Sequence, residues 1–288
     1  MRGWVVGGRQ ARTAGVRDRD HRALYDRGVV AGITPDRLID VEHSRDARCF
    51  KGIAADGRQL CSEGAVWPFD PETGRRGSMT EIEGGDALDL HHVVTHEASR
   101  CLAVTARDEV WIGDRRHRIA DPAQRAHPNH LFQWCGALWV TRGALGDARP
   151  VDTPRPVEIA DVVVHDGVVT PEGVWFTAVD GRLVRLDQAG RTETIDLTEL
   201  DDRPAPLGWC RGLGFADGLA WVGFSRLRTT AHRSRLAWVR GALRGRQVAT
   251  THPTRLVAYD LGARRKIHEV CVEPFGLDAV FGLYFSPT

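Results

Sequence analysis

Short apolar runs separated by turn-forming residues are the dominant pattern in this chain. In residues 161–198, four such runs are separated by TPEG, DG and DQAG, compositions that favour tight turns between antiparallel strands. This spacing predicts a four-stranded meander of about 38 residues. Because such a sheet has two apolar faces and is not stable alone, a chain that repeats it is expected to arrange the copies around an axis as a β-propeller.

The same pattern recurs with variation along most of the chain. Residues 50–83 and 91–120 follow the whole plan, and residues 129–142 repeat its first two strands. Residues 211–224 supply a first pair of strands and residues 254–273 a last pair, which gives five repeats in all. A β-sandwich with similar turns is the alternative, because regularly spaced short strands are typical of both folds.

The two ends of the chain complement each other. The first 45 residues contain three strand-like runs (3–8, 27–33 and 37–43) that lack an innermost strand, and residues 275–288 contain one run without partners. A closed propeller has no free sheet edge only if its chain ends share a blade. We therefore expect an all-β fold, a six-bladed β-propeller closed by the N- and C-terminal strands, with five blades as the alternative. A single domain over residues 1–288 is expected.

Aromatic and sulfur side chains indicate packing rather than chemistry. The six cysteines lie far apart without a CxxC pair, which favours buried reduced thiols over disulfides or zinc ligands. Tryptophan recurs once in most repeats, and we expect these side chains to pack between blades. They are Trp67, Trp111, Trp139, Trp175 and Trp221.

Composition and end sequences narrow the class of protein. A net charge of +1 with 27% charged residues is typical of a soluble surface and gives no sign of a nucleic-acid partner. The N-terminal residues lack the apolar core of a signal peptide, and no apolar run is long enough to span a membrane. We expect a cytoplasmic protein that binds a small molecule, and the oligomeric state stays open. Serine-hydrolase, P-loop and Rossmann motifs do not occur.

An arginine-rich insertion interrupts the fifth repeat at residues 225–254. It carries seven arginines and no acidic residue, and apolar spacing predicts a short helix around Arg233 to Leu243. Because guanidinium groups suit carboxylates and phosphates, we interpret it as a lid over an anionic ligand, with Arg233 and Arg235 binding the substrate. A solvated surface loop or a partner contact are the alternatives.

Polar residues gather where the innermost strands are predicted to begin. Aligning the repeats places Lys51, His91, Asn129, Asp166, Gly212 and Asp278 in one column near the propeller axis. Five histidines occur in the opening turns of three consecutive repeats, and we expect them to converge on the axis. They are His91, His92, His127, His130 and His165.

These side chains predict two kinds of chemistry. Imidazole, amide and carboxylate groups together can bind a divalent ion, so the predicted metal ligands are His92, Asn129, His130 and Asp166. Zinc, manganese or iron would suit this mixture better than calcium. The predicted catalytic residues are His91 and His165 as general acid and base and Arg211 as the group that stabilises a developing anion. Lys51 is predicted to bind substrate.

Structural roles for the same side chains are the alternative. A histidine at the start of a strand can hydrogen-bond a neighbouring blade, and Asp166 before Gly167 can simply shape a turn.

Two resemblances add to this interpretation. The run WCRGLGFADGLAWVGFSRLR (209–228) resembles the C-terminal half of an uncharacterised family of bacterial propeller proteins. The blade plan, with Asn129 and Asp166, resembles more loosely the gluconolactonase and senescence-marker class. That class implies a divalent metal on the axis and lactone hydrolysis. The pattern departs where the class is expected to use an early glutamate, because Lys51 holds the aligned place and Glu42 falls in another strand. Lactone hydrolysis itself is therefore not carried over.

The function expected from the sequence is that of a small-molecule enzyme with an axial site. The site would be assisted by a divalent metal and would catalyse hydrolysis, elimination or isomerisation of an anionic or carbonyl-bearing substrate. A non-catalytic propeller that recognises a ligand or a protein is the alternative, because this fold serves both uses.

Overall fold

A computed structural model describes residues 2–11, 24–227 and 252–286. Within these ranges the backbone forms 25 strands in six antiparallel sheets, which make a six-bladed β-propeller as the sequence predicts. Most of the insertion at 225–254, including Arg233 and Arg235, lies outside the described residues.

The strands follow the turns that separate the apolar runs. The first blade contains β1 (Gly3–Gln10), β2 (Tyr25–Ile33) and β3 (Leu38–Ser44), and the second contains β4 (Gly52–Ile53), β5 (Gln59–Cys61), β6 (Ala65–Asp70), β7 (Arg75–Arg76) and β8 (Thr80–Glu81). The third contains β9 (Leu90–His96), β10 (Ser99–Val104), β11 (Glu109–Ile112) and β12 (Arg115–Arg118). The fourth contains β13 (Pro128–Trp134), β14 (Ala137–Arg142), β15 (Asp147–Pro150) and β16 (Val157–Glu158).

The remaining blades complete the ring. The fifth contains β17 (Val164–Thr170), β18 (Gly173–Ala178), β19 (Arg182–Leu186) and β20 (Thr192–Asp196). The sixth contains β21 (Trp209–Ala216), β22 (Leu219–Ser225), β23 (Arg255–Asp260) and β24 (Arg265–Cys271). The last strand, β25 (Ala279–Phe285), returns to the first blade.

The ring is closed by pairing between the two ends of the chain. Strand β25 is the innermost strand of the first blade and pairs antiparallel with β1, from Gly3 opposite Phe285 to Gly8 opposite Ala279. The predicted closure by strands from both ends is therefore confirmed. It removes the free edge that either strand would otherwise expose.

Each pair of neighbouring blades has its own apolar core. Six clusters of buried side chains each join two adjacent sheets. Five of the clusters contain one of the repeated tryptophans, which confirms their predicted place between blades. These are Trp221, Trp175, Trp67, Trp139 and Trp111.

The innermost strands contain β-bulges close to their first residues. In five of the six blades the pairing with the second strand skips one or two residues at this point. The skipped residues are His91, Asn129, Asp166 with Gly167, Arg211 with Gly212, and Phe281. Bulges of this kind redirect side chains and are common beside active sites. In the second blade, Lys51 directly precedes the innermost strand β4.

The two faces of the propeller can be told apart by the insertion. Ser225 at the end of β22 pairs with Trp209 at the start of β21. The connection from β22 to β23 therefore emerges on the face where the innermost strands begin. We call this the insertion face, and the other end of the axis the opposite face.

The cysteines are free thiols, as expected. Four of them, Cys49, Cys61, Cys101 and Cys210, are buried, whereas Cys135 and Cys271 are exposed. Among the described residues, no helix has the length and apolar character needed to cross a membrane.

Candidate axial site

The bulged residues meet in a small polar cavity on the axis. The cavity has a volume of about 10 Å³, which is room for about one water molecule. A ligand can therefore place only a few atoms here, and its body must lie outside. The polar side chains that line the cavity are Lys51, His91, His92, Asn129, His130, Asp166 and Arg211.

Two cationic side chains lie against one aromatic ring at this cavity. The Lys51 ammonium lies 5.2 Å and the Arg211 guanidinium 4.7 Å from the ring centre of Phe281. Arg211 Nη2 also donates a hydrogen bond of 3.2 Å to the backbone carbonyl of Lys51. The cation–π contacts and this hydrogen bond hold the two charges side by side.

Arg211 is buried without an acidic partner. Its exposed fraction is 6%, and within the described chain no carboxylate lies within 4.0 Å of its guanidinium group. Burial lowers the pKa of Arg211, with Asp166 acting in the opposite direction from a greater distance. A buried charge without a close counterion is costly, so most of its hydrogen-bonding capacity is available to a ligand.

The hydrogen bonds of His91 determine which ring nitrogen carries the proton. Nδ1 lies 2.9 Å from the backbone oxygen of Asp89 and 2.8 Å from Thr105 Oγ1. The Thr105 hydroxyl donates its own proton to the Pro128 carbonyl at 2.5 Å. Since both neighbours of Nδ1 act as acceptors, Nδ1 bears the hydrogen and Nε2 bears the lone pair. Neutral His91 can therefore accept a proton at Nε2.

Asp89 links the lysine to this histidine. Its Oδ1 lies 3.6 Å from Lys51 Nζ and 3.7 Å from His91 Nδ1. Burial acts to raise the pKa of Asp89, but His91, Lys51, His127 and Arg211 outweigh it and lower that pKa overall. Burial likewise acts to lower the pKa of Lys51, and Cys49, Asp89 and Glu63 outweigh it. Lys51 and Asp89 therefore form an ion pair at neutral pH.

The histidines around the axis are held in the neutral form. Burial lowers the pKa of His127 and of His92 to about 4, and it lowers the pKa of His91 and His130 well below the ordinary value. The ring of His127 meets that of His91 edge to face, with 4.9 Å between ring centres. A neutral imidazole can act as a base, which an imidazolium cannot.

Asn129 and His165 form a pair between the fourth and fifth blades. Asn129 Nδ2 lies 2.8 Å from the Val164 carbonyl and 2.8 Å from His165 Nδ1. Because a carbonyl requires a donor, the amide orientation is fixed and Nδ1 of His165 is an acceptor. Asn129 is 2% exposed, and its Oδ1 has no hydrogen-bond partner among the described residues. This oxygen is available to a bound water, ion or ligand.

Asp166 joins the fifth and sixth blades. Its Oδ2 accepts hydrogen bonds from Thr177 Oγ1 at 2.5 Å and from the Gly212 backbone at 3.0 Å. Burial raises the pKa of Asp166, while the Thr177 hydrogen bond and Arg211 act in the opposite direction. Its backbone φ of 60° lies in the left-handed region, which aspartate tolerates better than most residues. Shaping the bulge is therefore one role of Asp166.

His92 uses both ring nitrogens to hold blades together. Nε2 lies 3.0 Å from the Ile53 carbonyl, and Nδ1 accepts a hydrogen bond of 3.2 Å from the Leu131 backbone. Its ring stacks on that of His130 with 3.8 Å between ring centres. His92 thus has no nitrogen left for a metal ion. Its contacts match the alternative structural role, a histidine that hydrogen-bonds neighbouring blades.

The other three predicted metal ligands do not make a complete site. Across residues 2–11, 24–227 and 252–286, no group of three His, Cys, Asp or Glu side chains is arranged to hold a metal ion. Asn129 retains an oxygen without a partner, but the charges of Lys51 and Arg211 at the same cavity oppose a further cation. These residues do not fit a divalent metal well, and the metal site stays a prediction.

Most of the predicted axial column is brought together, with two corrections. Lys51, His91, Asn129 and Asp166 line the cavity, whereas Gly212 contributes its backbone and the preceding Arg211 supplies the side chain. The reason is a two-residue bulge in which Gly212 takes the left-handed conformation, with a φ of 87°.

The second correction concerns Asp278, which lies before β25 and accepts a hydrogen bond from the Gln10 backbone. Phe281 occupies the axial place in that blade. Asp89, Thr105 and Phe281 are not among the residues predicted from the sequence to act in the site. Only Asp89 carried a signal, since it stands two residues before His91 at the expected start of a strand.

Comparison with known proteins shows the fold. No protein-family model matches the chain, and no curated protein matches its sequence. A chain from the crystal structure of a nidogen/laminin complex is similar with a TM-score of 0.55 and 10% identity, covering 98% of this chain and 97% of that chain. At this identity the likeness concerns the propeller fold alone.

Two further solved structures are more distant. The structure of U3-55K gives a TM-score of 0.47 at 13% identity, covering 98% of this chain and 88% of that chain. The computationally designed Ika8 protein gives 0.44 at 12% identity, covering 90% and 75%.

Proposed function

We propose that the protein is an enzyme that binds a small anionic, carbonyl-bearing compound at the insertion-face end of the axis and acts on it by acid–base chemistry. The observation that carries the proposal is Arg211, a buried guanidinium without an acidic partner among the described residues, which lines the same small cavity as His91, a neutral histidine with a free lone pair. A carboxylate or a developing oxyanion would supply the missing counterion.

Each axial group has a defined part in this proposal. Arg211 and Lys51 bind the anionic group and stabilise negative charge on the substrate oxygen. His91 accepts a proton at Nε2 while Asp89 and Thr105 hold its ring in place. The substrate reaches the cluster across Lys51 and Asp89, whose side chains are 14% and 30% exposed. Hydrolysis, elimination and isomerisation of a carbonyl compound can each use this combination of a base and an oxyanion partner.

The metal-assisted version and the likeness to the gluconolactonase class remain hypotheses. In that version Asn129 Oδ1 and the Asp166 carboxylate would be the ligands, and the ion would polarise a carbonyl. The charge balance of the cavity favours the version without a metal, because Lys51 and Arg211 already supply two positive charges.

Thermal stability in the presence of small anions tests the proposal. Phosphate, citrate and a panel of small hydroxy-acids and their lactones would be added to the wild type, Arg211→Gln and Lys51→Gln. We expect the anions that fit to raise the Tm of the wild type, by less at high salt, and to leave Arg211→Gln unchanged. Turnover of any stabilising compound should fall by at least about 100-fold in His91→Gln.

Metal content separates the two versions of the chemistry. Activity that survives chelation, with no ion bound in stoichiometric amount, would support the proposal. Anions that stabilise the wild type and Arg211→Gln equally would contradict it.

A further inference from the structure

A second cavity lies on the same axis at the opposite face. It has a volume of about 510 Å³, and the ends of all six innermost strands contribute to it. A volume of this size is typical of sites for small organic molecules. It is separate from the polar cavity, although Ile53, His130 and Leu283 line both.

The wall of this cavity is apolar and partly aromatic. Its main apolar side chains are Phe132, Val168, Leu213, Phe215, Leu283 and Phe285. Val169 stands among the lining residues and is 45% exposed. Only one other large apolar side chain in the described ranges, Met79 at 50%, is comparably exposed. Exposed apolar surface around a concave site is expected where a ligand covers it.

The cavity offers almost no charge to a ligand. Asp56 and His130 are the acidic and basic side chains among its described lining residues, and Tyr284 adds a phenol hydroxyl. Asp56 Oδ1 accepts a hydrogen bond from the Arg58 backbone in a surface turn. Burial keeps His130 neutral, because it holds the pKa of that imidazole well below the ordinary value. Lys51 and Arg211 line only the polar cavity. A charged ligand would lose hydration here without gaining a counterion.

His130 provides a polar contact where the two cavities adjoin. Its ring is stacked on His92, and in the described part of the chain no group hydrogen-bonds to either of its nitrogens. A neutral imidazole has one donor and one acceptor nitrogen. A hydroxyl, carbonyl or amide group of a ligand can therefore bond to it.

We propose that this cavity is a binding site for a neutral, mainly aromatic small molecule that makes one hydrogen bond to His130. It is distinct from the anion site and does not depend on it. Ring systems suit the wall, since Phe132, Phe215 and Phe285 can pack against them.

Binding of an uncharged dye tests this site. Nile red is aromatic, neutral and carries a carbonyl group, and its emission rises on transfer to an apolar site. We expect saturable binding of one dye per chain. Val169→Glu should raise its Kd by at least about fivefold, because the ligand would cover a carboxylate. The matched control Met79→Glu, at the other exposed apolar side chain, should leave the Kd unchanged.

A second variant isolates the hydrogen bond. His130→Phe keeps a ring that can stack on His92 but removes both nitrogens. It should weaken Nile red by about fivefold and leave pyrene, which has no polar group, unaffected. Phosphate should not displace either dye, whatever its effect on the anion site.

Three results would overturn the proposal. The first is an equal loss of Nile red binding in Val169→Glu and Met79→Glu. The second is tighter binding of the anionic dye anilinonaphthalene sulfonate than of Nile red. The third is an equal loss of Nile red and pyrene binding in His130→Phe while that variant still unfolds cooperatively.

Discussion

The two cavities on the propeller axis form a polar half and an apolar half of one axial channel. The same six innermost strands line both halves, but the polar half presents charged and histidine side chains and the other presents apolar ones. On the insertion face the cavity has a volume of only about 10 Å³ and lies among Lys51, Arg211 and buried histidines. On the opposite face the cavity has a volume of about 510 Å³ and lies between aliphatic and aromatic side chains. The bulges account for the change, because a skipped residue lets a strand present one set of side chains before it and another after it.

The comparison shows how one repeat can produce two different sites. Near the start of an innermost strand, before its regular pairing begins, a bulge exposes a polar side chain such as Asn129 to the axis. Beyond it, regular alternation resumes and places Phe132 in the wall of the wide cavity. The polar half costs stability through buried charge, and the six apolar cores between blades offset that cost.

Removing the strand shared by both halves should have the largest effect. Strand β25 supplies Phe281 to the polar half and Leu283 and Phe285 to the apolar half. Deleting residues 276–288 exposes the edge of β1, so we expect aggregation or loss of cooperative unfolding in circular dichroism and gel filtration. Deletion of residues 287–288 alone is the control. A soluble truncated chain that melts like the full protein would show that closure by β25 is dispensable.

Acid should destabilise the polar half. His92 and His127 have pKa values of about 4 in the folded protein, against 6.5 for an ordinary histidine. Between about pH 6.5 and 4 these histidines are therefore protonated in the unfolded chain but not in the folded protein. The free energy of unfolding consequently falls as the pH drops through this range. The loss is on the order of 3 kcal/mol per histidine at the acid end.

Urea unfolding at pH 7, 5.5 and 4.5 measures this slope. His127→Gln should reduce it, because that variant lacks one of the titrating groups. An identical slope in the variant and the wild type would assign the acid sensitivity to other groups.

His92 distinguishes a structural from a ligand-binding histidine. His92→Leu leaves the Ile53 carbonyl and the Leu131 amide buried without partners, so we expect a loss of about 2–4 kcal/mol in the free energy of unfolding. His92→Gln can donate and accept in their place and should lose less. Equal stability of both variants and the wild type, measured by urea unfolding, would contradict the role of His92 between blades.

Substitutions in the arginine-rich insertion test whether a substrate enters from the insertion face. If residues 225–254 cover the axial mouth, Arg233→Gln with Arg235→Gln should raise KM by about tenfold and flatten its dependence on salt. The chemical step should change less, since these charges act on approach. Gln substitution at Arg100 in the third blade is the control. An unchanged KM would leave the insertion without a part in binding.

Much of the fold could be predicted from the sequence, because turns and apolar runs are local signals. The TPEG turn of residues 170–173 falls where β17 gives way to β18, and the run at 275–288 contains β25. The bulges could not be predicted, since a bulge depends on the register with a neighbouring strand rather than on the residue itself. For this reason the predicted axial column contained Gly212 where Arg211 supplies the side chain.

The chemistry of individual side chains was predicted less well than their position. Residue type alone made His92 a candidate ligand, but its two hydrogen bonds come from blades on either side, which the sequence does not specify. The lone pair of His91 depends on Thr105, fourteen residues away, and on the Asp89 carbonyl. Such contacts are properties of the closed ring.

Binding of an anion by the buried guanidinium of Arg211 is central to the proposed function, and Arg211→Met tests it most directly. The variant keeps an apolar side chain of similar length at the axis and removes the buried charge. The free energy of unfolding of the wild type and the variant would be measured with and without the anions that raise wild-type Tm. We predict that the variant is at least as stable as the wild type without anion and gains nothing when anion is added. A variant that loses several kcal/mol, together with a wild type that no anion stabilises, would contradict the account.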